Sequence, residues 1–431
     1  MLAQDFRRLA TPERAKSVAI LAALGLVLMP ALADAKPKYP GDFTSDAKLA
    51  ALEKKVGAKV VPIERPEALA GTKAKLAKAA SGQGQVRILH LGDSHIASDY
   101  ITGRIRHRLQ KAFGDGGRGF THVAQLWGYG GRRLTKAKGW ASDRIVDKDR
   151  AGRPFGFSGM SLESTKKGAK LKYRIESDET EVRVYYYQQP GGGSLAASVG
   201  GKALGSVSTA GEIASKVWTI DLSGAPAKTV KMKGPAGGRI LELVAEAPKA
   251  RVFGLSFETK KPGVVYESIG PVGADAKVYL ELGRDSFEQH LSAHAPDVVV
   301  LMVGGNDALK IRKKWTDPAR VEKDHQQLID LLKKIVPGVQ IILWAPMDAG
   351  DKKGKKVVSK GFLTEVRAMQ KRVAGEKQIA YWDTLDAMGG PGAITRWHAA
   401  KVMNKDLVHP KKRAADLLGE LFADAFTRAM K

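Results

Sequence analysis

A doubly wound parallel α/β sheet, interrupted by an inserted all-β sandwich, is the architecture that this 431-residue sequence predicts. Three observations carry the prediction. Gln85-Val86-Arg87-Ile88-Leu89-His90-Leu91 is a compact β-rich run, followed by Ile101, Ile105, Leu109 and Phe113 at helical spacing. Between about His122 and Pro262 the pattern changes to short alternating runs separated by glycine-rich breaks. Asp297-Val298-Val299-Val300-Leu301-Met302-Val303 then restores the first pattern as a continuous apolar run, as expected of a parallel strand covered on both faces.

The elements follow in order. Helical patterns at Ser45–Val56 and Pro66–Ala80 form a peripheral lead-in, with Val60-Val61-Pro62-Ile63 between them. The strand at 85–91 runs into Gly92-Asp93-Ser94-His95, and its helix stops at Gly114-Asp115-Gly116-Gly117. In the middle region Lys170–Ile175, Glu181–Gln188, Lys216–Leu222, Thr229–Lys233, Arg239–Ala245 and Arg251–Glu258 alternate like strands, with no convincing helix among them, which reads as a sandwich. After the apolar run come a helix near Pro318–Ile335, a strand at Val339–Trp344, a helix near Leu363–Val373, a strand at Ile379–Trp382 and a final helix from Lys412. The expected division is therefore 1–35 as a signal segment, 36–84 as linker and lead-in, 85–121 and 264–431 as two parts of one α/β domain, and 122–263 as the insert.

The N-terminus has the form of an export signal: Arg7, Arg8, Arg14 and Lys16, then the apolar run Val18 to Leu28, then Ala31-Leu32-Ala33 as a small-x-small cleavage site. The apolar run falls short of the roughly 20 residues that a membrane span needs, so no stable span is expected after cleavage and the body of the protein is expected outside the cytoplasm. There are no cysteines, which excludes a disulfide framework and a lipid-modified cysteine. Formal net charge is +26, but Lys and Arg are dispersed and accompany no finger or aromatic RNA signature. Nucleic acid is accordingly not an expected partner, and an anionic envelope polymer suits the charge better. The largest concentration is small, Lys352-Lys353-Gly354-Lys355-Lys356. His290, His294 and His325 lack metal-ligand spacing, the glycine-rich loops lack a phosphate-cradling pattern, and no cofactor or metal is assigned.

Three short segments carry chemistry. Ser94 lies at a strand-to-helix turn, where a hydroxyl can be exposed and a backbone N–H can face a developing negative charge, although Gly-Asp-Ser is also a common plain turn. Gly304-Gly305-Asn306-Asp307 follows the most apolar strand, where a side-chain amide can donate to an oxyanion; Gly and Asn also favour ordinary turns. Asp406-Leu407-Val408-His409 precedes the last helix, and the three-residue spacing lets a carboxylate orient a neighbouring imidazole. Each segment is ordinary alone; their order along one doubly wound sheet is specific.

On these segments the sequence resembles the SGNH, or GDSL-like, hydrolase family, over residues of about 85–120 and 264–431. The resemblance implies a flavodoxin-like sheet, Ser94 as nucleophile, Asp406 and His409 as the rest of a triad, and an oxyanion hole built from Ser94, Asn306 and a glycine of Ser268-Ile269-Gly270-Pro271-Val272-Gly273-Ala274-Asp275. Gly273 is the favoured glycine and Gly270 the fallback. His95, the run Phe113–Phe120 and the β-insert resemble bacterial enzymes that remove or transfer acetyl groups on peptidoglycan, whose insert resembles a carbohydrate-binding module. The implied activity is an exported, periplasmic or secreted serine esterase acting on O-acyl esters of an envelope glycan. An O-acetyltransferase on the same polymer and an inactive glycan-binding protein are the alternatives. Gly128-Tyr129-Gly130-Gly131 aligns with no block. Tyr185-Tyr186-Tyr187 and Trp218 are candidates for a sugar-stacking face, although aromatics in alternating strands more often fill a core.

Overall fold

The computed structural model describes residues 43–123, 133–147, 153–226, 239–282 and 284–431. The signal segment 1–35, the Thr229–Lys233 strand and Gly128–Gly131 lie outside the described residues. Five parallel strands form the central sheet: β1 (Gln85–Leu91), β2 (Gly263–Ile269), β3 (Val298–Leu301), β4 (Gln340–Trp344) and β5 (Ala380–Trp382), in the order β2-β1-β3-β4-β5. That is the flavodoxin-like order, with its switch point between β1 and β3, where the carboxyl ends of the strands leave a crevice.

The apolar runs divide between the two faces as the two-residue period of a strand requires. Val298 and Val300 join one core cluster with Ile88, Ile342 and Trp344, whereas Val299 and Leu301 join a second with Leu89, Ile341 and Leu343. Helices Tyr100–Phe113 and Lys412–Ala429 cover the first face through Ile101, Ile105, Leu418 and Phe422. Helices Arg284–His294, Pro318–Ile335 and Leu363–Glu376 cover the second through Leu291, Leu328 and Val366. The lead-in closes the free edge: Glu64 bridges Tyr381 of β5, and the Arg65 Nε donates to the Ile379 carbonyl at 2.8 Å.

Between β1 and β2 the chain builds two antiparallel sheets. One orders Ala214–Asp221, Glu181–Gln188, Arg251–Glu258, Met160–Ser164 and Trp140–Arg144; the other orders Leu134–Lys138, Ala169–Ile175, Arg239–Ala245, Ser194–Val199 and Lys202–Ser208. Antiparallel pairing already begins at Gly119–His122, against Arg251–Glu258, three residues ahead of the expected start of the insert. Strand Arg251–Glu258 is buried on both faces: Val252, Leu255 and Phe257 enter the sandwich core, while Phe253 packs with Phe120, Phe157 and Leu291 against the α/β unit. Tyr185 and Tyr186 are buried and Trp218 is half-buried against the sandwich core, so these rings serve packing.

A buried ionic cluster fastens the insert to the sheet. Glu267 of β2, fully buried, accepts from the Arg87 guanidinium of β1, from the Phe120 N–H at 2.7 Å, and pairs with His294 Nε2 at 2.6 Å. The other nitrogen of that ring meets the Tyr185 hydroxyl at 2.7 Å. Burial opposes the charge, yet Arg87 and His294 hold the Glu267 carboxyl down to about 2. Breaking a buried pair leaves its partners uncompensated, so Glu267→Ala should cost about 3–5 kcal/mol, read from urea unfolding; a loss below about 1 kcal/mol would show that the cluster does not hold the two parts together.

Candidate active site

The segments beyond the carboxyl ends of β1 and β3 meet the loop before the final helix at one place. Ser94 lies in the turn after β1, only 8% exposed, and its Oγ is 2.7 Å from His409 Nε2. His409 Nδ1 is 2.8 Å from Asp406 Oδ2. The spacing of this pair has a local cause. Asp406 Oδ1 accepts the N–H groups of Val408 at 2.9 Å and His409 at 3.0 Å, so the carboxylate folds its own loop while its other oxygen orients the ring. Burial resists ionisation of Asp406, but the hydrogen bond and charge of His409 lower its carboxyl to about 2. An ionised Asp406 is an acceptor only, which assigns the proton to Nδ1 and leaves the Nε2 lone pair facing the serine hydroxyl. Leu407, between them, takes a left-handed backbone (φ 58°), a costly conformation for a leucine that its buried side chain and its carbonyl, bonded to the Gly350 N–H at 2.8 Å, hold in place.

Asn306 lies in the first turn of the helix Gly305–Arg312, whose entry needs a glycine at 304: φ is 123°, and a Cβ there would lie 2.8 Å from the Gln370 amide. The Asn306 Nδ2 donates to the Ala274 carbonyl at 2.8 Å and to Asp93 Oδ2 at 3.2 Å. Asp307, the next residue, turns into the core, where burial and then Asp275 push its carboxyl well above the usual carboxylate range. The two candidate glycines differ sharply. A Cβ on Gly270 would sit 2.4 Å from the Asp93 carbonyl, so this glycine is required by close packing of β2 against the serine turn. Gly273 has φ 85° with open space beside it. Among the described residues, no backbone carbonyl takes the N–H of Ser94 or of Gly273.

Asp93 and His95 are connected in a way that spacing did not reveal. Asp93 Oδ1 accepts the His95 N–H at 2.9 Å and faces His95 Nδ1 at 2.7 Å, while Oδ2 holds Asn306. His95 Nε2 faces the Val408 carbonyl at 3.3 Å, and its ring centroid is 5.1 Å from that of His409. Both nitrogens of His95 thus meet acceptors, an arrangement satisfied in full only by the doubly protonated ring. Burial works against that charge, but Asp93 above all, with the Val408 carbonyl and Asp406, holds the His95 pKa above its ordinary value. Asp93, Asp406 and His409 are the titratable groups that face it. Asp93 is buried, and its carboxyl is held below the usual range by His95. A pKa raised on folding stabilises fully below the unfolded value, about 6.5, and that stabilisation is lost as pH rises through the folded value. Wild type should therefore melt above His95→Gln by the widest margin below about pH 6.5, with the gap narrowing at alkaline pH. A gap that widens with pH would show His95 to be neutral.

His90 lies fully buried in the sheet core, its Nδ1 2.9 Å from the Tyr266 hydroxyl, and burial lowers its pKa to about 3. His290, His294 and His325 are buried side chains of helices, bonded to Lys216, to Glu267 and Tyr185, and to Val321 and Gln370 respectively. Among the described residues no group of three or more such side chains could hold a metal ion, and no helix is long and apolar enough to cross a membrane.

Residues 264–417 match the GDSL-like Lipase/Acylhydrolase family; the match begins at β2 and so excludes Ser94. Among solved structures, a peptidoglycan O-acetylesterase is similar at 24% identity, covering 83% of this chain and 95% of its own, with a TM-score of 0.69. An acetyl xylan esterase overlaps 38% of this chain and 80% of its own at 20% identity and a TM-score of 0.30. A Bacillus subtilis protein, YxiM, overlaps 67% of this chain and 88% of its own at 13% identity and a TM-score of 0.34. No curated protein matches the chain. By the family match over residues 264–417 the chain is similar to GDSL-like lipases and acylhydrolases, and its fold is that of a peptidoglycan O-acetylesterase.

Proposed function

We propose that Ser94, His409 and Asp406 are the catalytic triad of an exported esterase that removes O-acetyl groups from an envelope glycan, peptidoglycan being the favoured polymer. One observation carries the reading: the unbroken line from Ser94 Oγ through both nitrogens of His409 to Asp406 Oδ2. Ser94 Oγ attacks the acetyl carbonyl carbon as His409 Nε2 takes its proton. The N–H groups of Ser94 and Gly273 and the amide of Asn306 receive the oxyanion. Collapse of the adduct breaks the bond to the sugar oxygen, which leaves as a hydroxyl with the proton from His409. Water then attacks the acetyl-serine, His409 again serving as base, and acetate departs.

Export rests on the N-terminal signal pattern, and the polymer rests on the likeness to a peptidoglycan O-acetylesterase and on the excess positive charge. The test is incubation of the protein lacking residues 1–33 with O-acetylated peptidoglycan, alone and with a chito-oligosaccharide acceptor. Free acetate that disappears with Ser94→Ala is the expected result. Acetyl groups recovered on the acceptor would make the protein a transferase, and an intact polymer would remove peptidoglycan as substrate.

A further inference from the structure

Immediately beyond β4 the chain forms a small antiparallel hairpin, Gly350–Lys353 against Lys356–Ser359. It is clamped between the loop that carries His409 and the helix that carries Asn306. The Gly350 N–H donates to the Leu407 carbonyl at 2.8 Å, within the Asp406–His409 loop. Asp351 pairs with Arg312, at the far end of the helix whose first turn holds Asn306. The hairpin therefore stands at the same sheet edge as Ser94.

Its charge is one-sided. Lys352, Lys353, Lys355 and Lys356 are all exposed, and among the described residues none has a carboxylate partner. The one acid of the hairpin, Asp351, is already taken by Arg312 and Lys360. Lys353 is paired directly across the ladder from Lys356, a placement in which like charges destabilise a hairpin. Exposed Lys405 adds a further ammonium beside Asp406. Self-repelling ammonium groups are stabilised when an anion lies among them, and flexible lysines accept carboxylates in many orientations.

We infer that this lysine hairpin is a docking site for the carboxylates of the peptide side chains that the polymer substrate bears. The inference rests on the esterase reading for its consequence in turnover, but not for the binding itself. A series of carboxylates along one strand engages several lysines at once, each weak alone and screened by salt.

The experiment compares wild type with Lys352→Gln/Lys353→Gln/Lys355→Gln/Lys356→Gln on O-acetylated peptidoglycan fragments, with their peptides intact and with their peptides removed. In wild type the ratio of kcat/KM for peptide-bearing over peptide-free glycan should be about tenfold at low salt. It should approach one near about 0.5 M salt, where screening is short-ranged. The quadruple variant should show a ratio near one at any salt. A wild-type ratio near one, or a ratio that survives in the variant, overturns the inference. Turnover of no ester by either protein would sink the esterase reading while leaving this one open to measurement. Ser94→Ala should still sediment with insoluble peptidoglycan at low salt, and the same protein without the four lysines should not. Displacement by duplex DNA as effective as by the free acidic peptides would overturn the assignment to carboxylates.

Discussion

Ser94→Ala and His409→Ala should each lower ester turnover by about 10⁵- to 10⁶-fold, and the double variant should be no worse than either. The reason is that the two side chains act as one unit across their 2.7 Å contact: without His409 the hydroxyl keeps its proton, and without Ser94 the base has no nucleophile to activate. No neighbouring imidazole can take over. His95 is the nearest, but its nitrogens are committed to Asp93 and to the Val408 carbonyl, so it has no lone pair directed at Ser94. Asp406→Asn should cost about 10⁴-fold, because an amide can present its N–H to His409 and stabilise the wrong tautomer. Steady-state hydrolysis of a small activated ester, with melting curves to show that the variants fold, measures all four. A deficit below about tenfold in His409→Ala, or full additivity in the double variant, would mean that hydrolysis runs through other groups.

The α/β frame was legible in the sequence for a reason visible in β3. A parallel strand covered on both faces has to be apolar at every position, and Val298-Val299-Val300-Leu301 divides cleanly between the two core clusters. The segments that carry Ser94, Asn306 and His409 were legible because each occupies a strand end or loop in the order that one sheet imposes. Other features left no comparable trace. Leu134–Lys138 and Trp140–Arg144 are edge strands exposed along most of their length, so they carry little apolar alternation. The hairpin at Gly350–Ser359 is equally polar, and in sequence its lysines read as a solvated charge run. The insert's early start at Gly119 is hidden because Phe120 points toward the α/β unit rather than into the sandwich. Gly270 and Gly273 cannot be separated by composition; what differs is that one touches the Asp93 carbonyl and the other faces open space. The three-way role of Asp93 is also a product of folding, since its partners lie in segments more than 200 residues apart.

That role shapes the second large effect. Asn306→Ala should reduce kcat by about 100- to 1,000-fold with a far smaller change in KM, as expected when a donor is used mainly in the transition state. In the resting site the Asn306 amide already gives its hydrogens to Ala274 and, over the longer distance of 3.2 Å, to Asp93. An oxyanion competes most readily for the second of these. The exchange is helped by His95, which keeps two contacts to Asp93 and so leaves that carboxylate satisfied when the amide turns away. Asn306→Asp should be at least as impaired as Asn306→Ala, because an ionised carboxylate offers no donor and would lie against the buried Asp93. Its melting temperature should fall as well, whereas Asn306→Ala mainly loses turnover. Near-normal kcat in Asn306→Ala would remove this amide from the oxyanion hole, and a raised KM at constant kcat would make it a substrate-binding group instead.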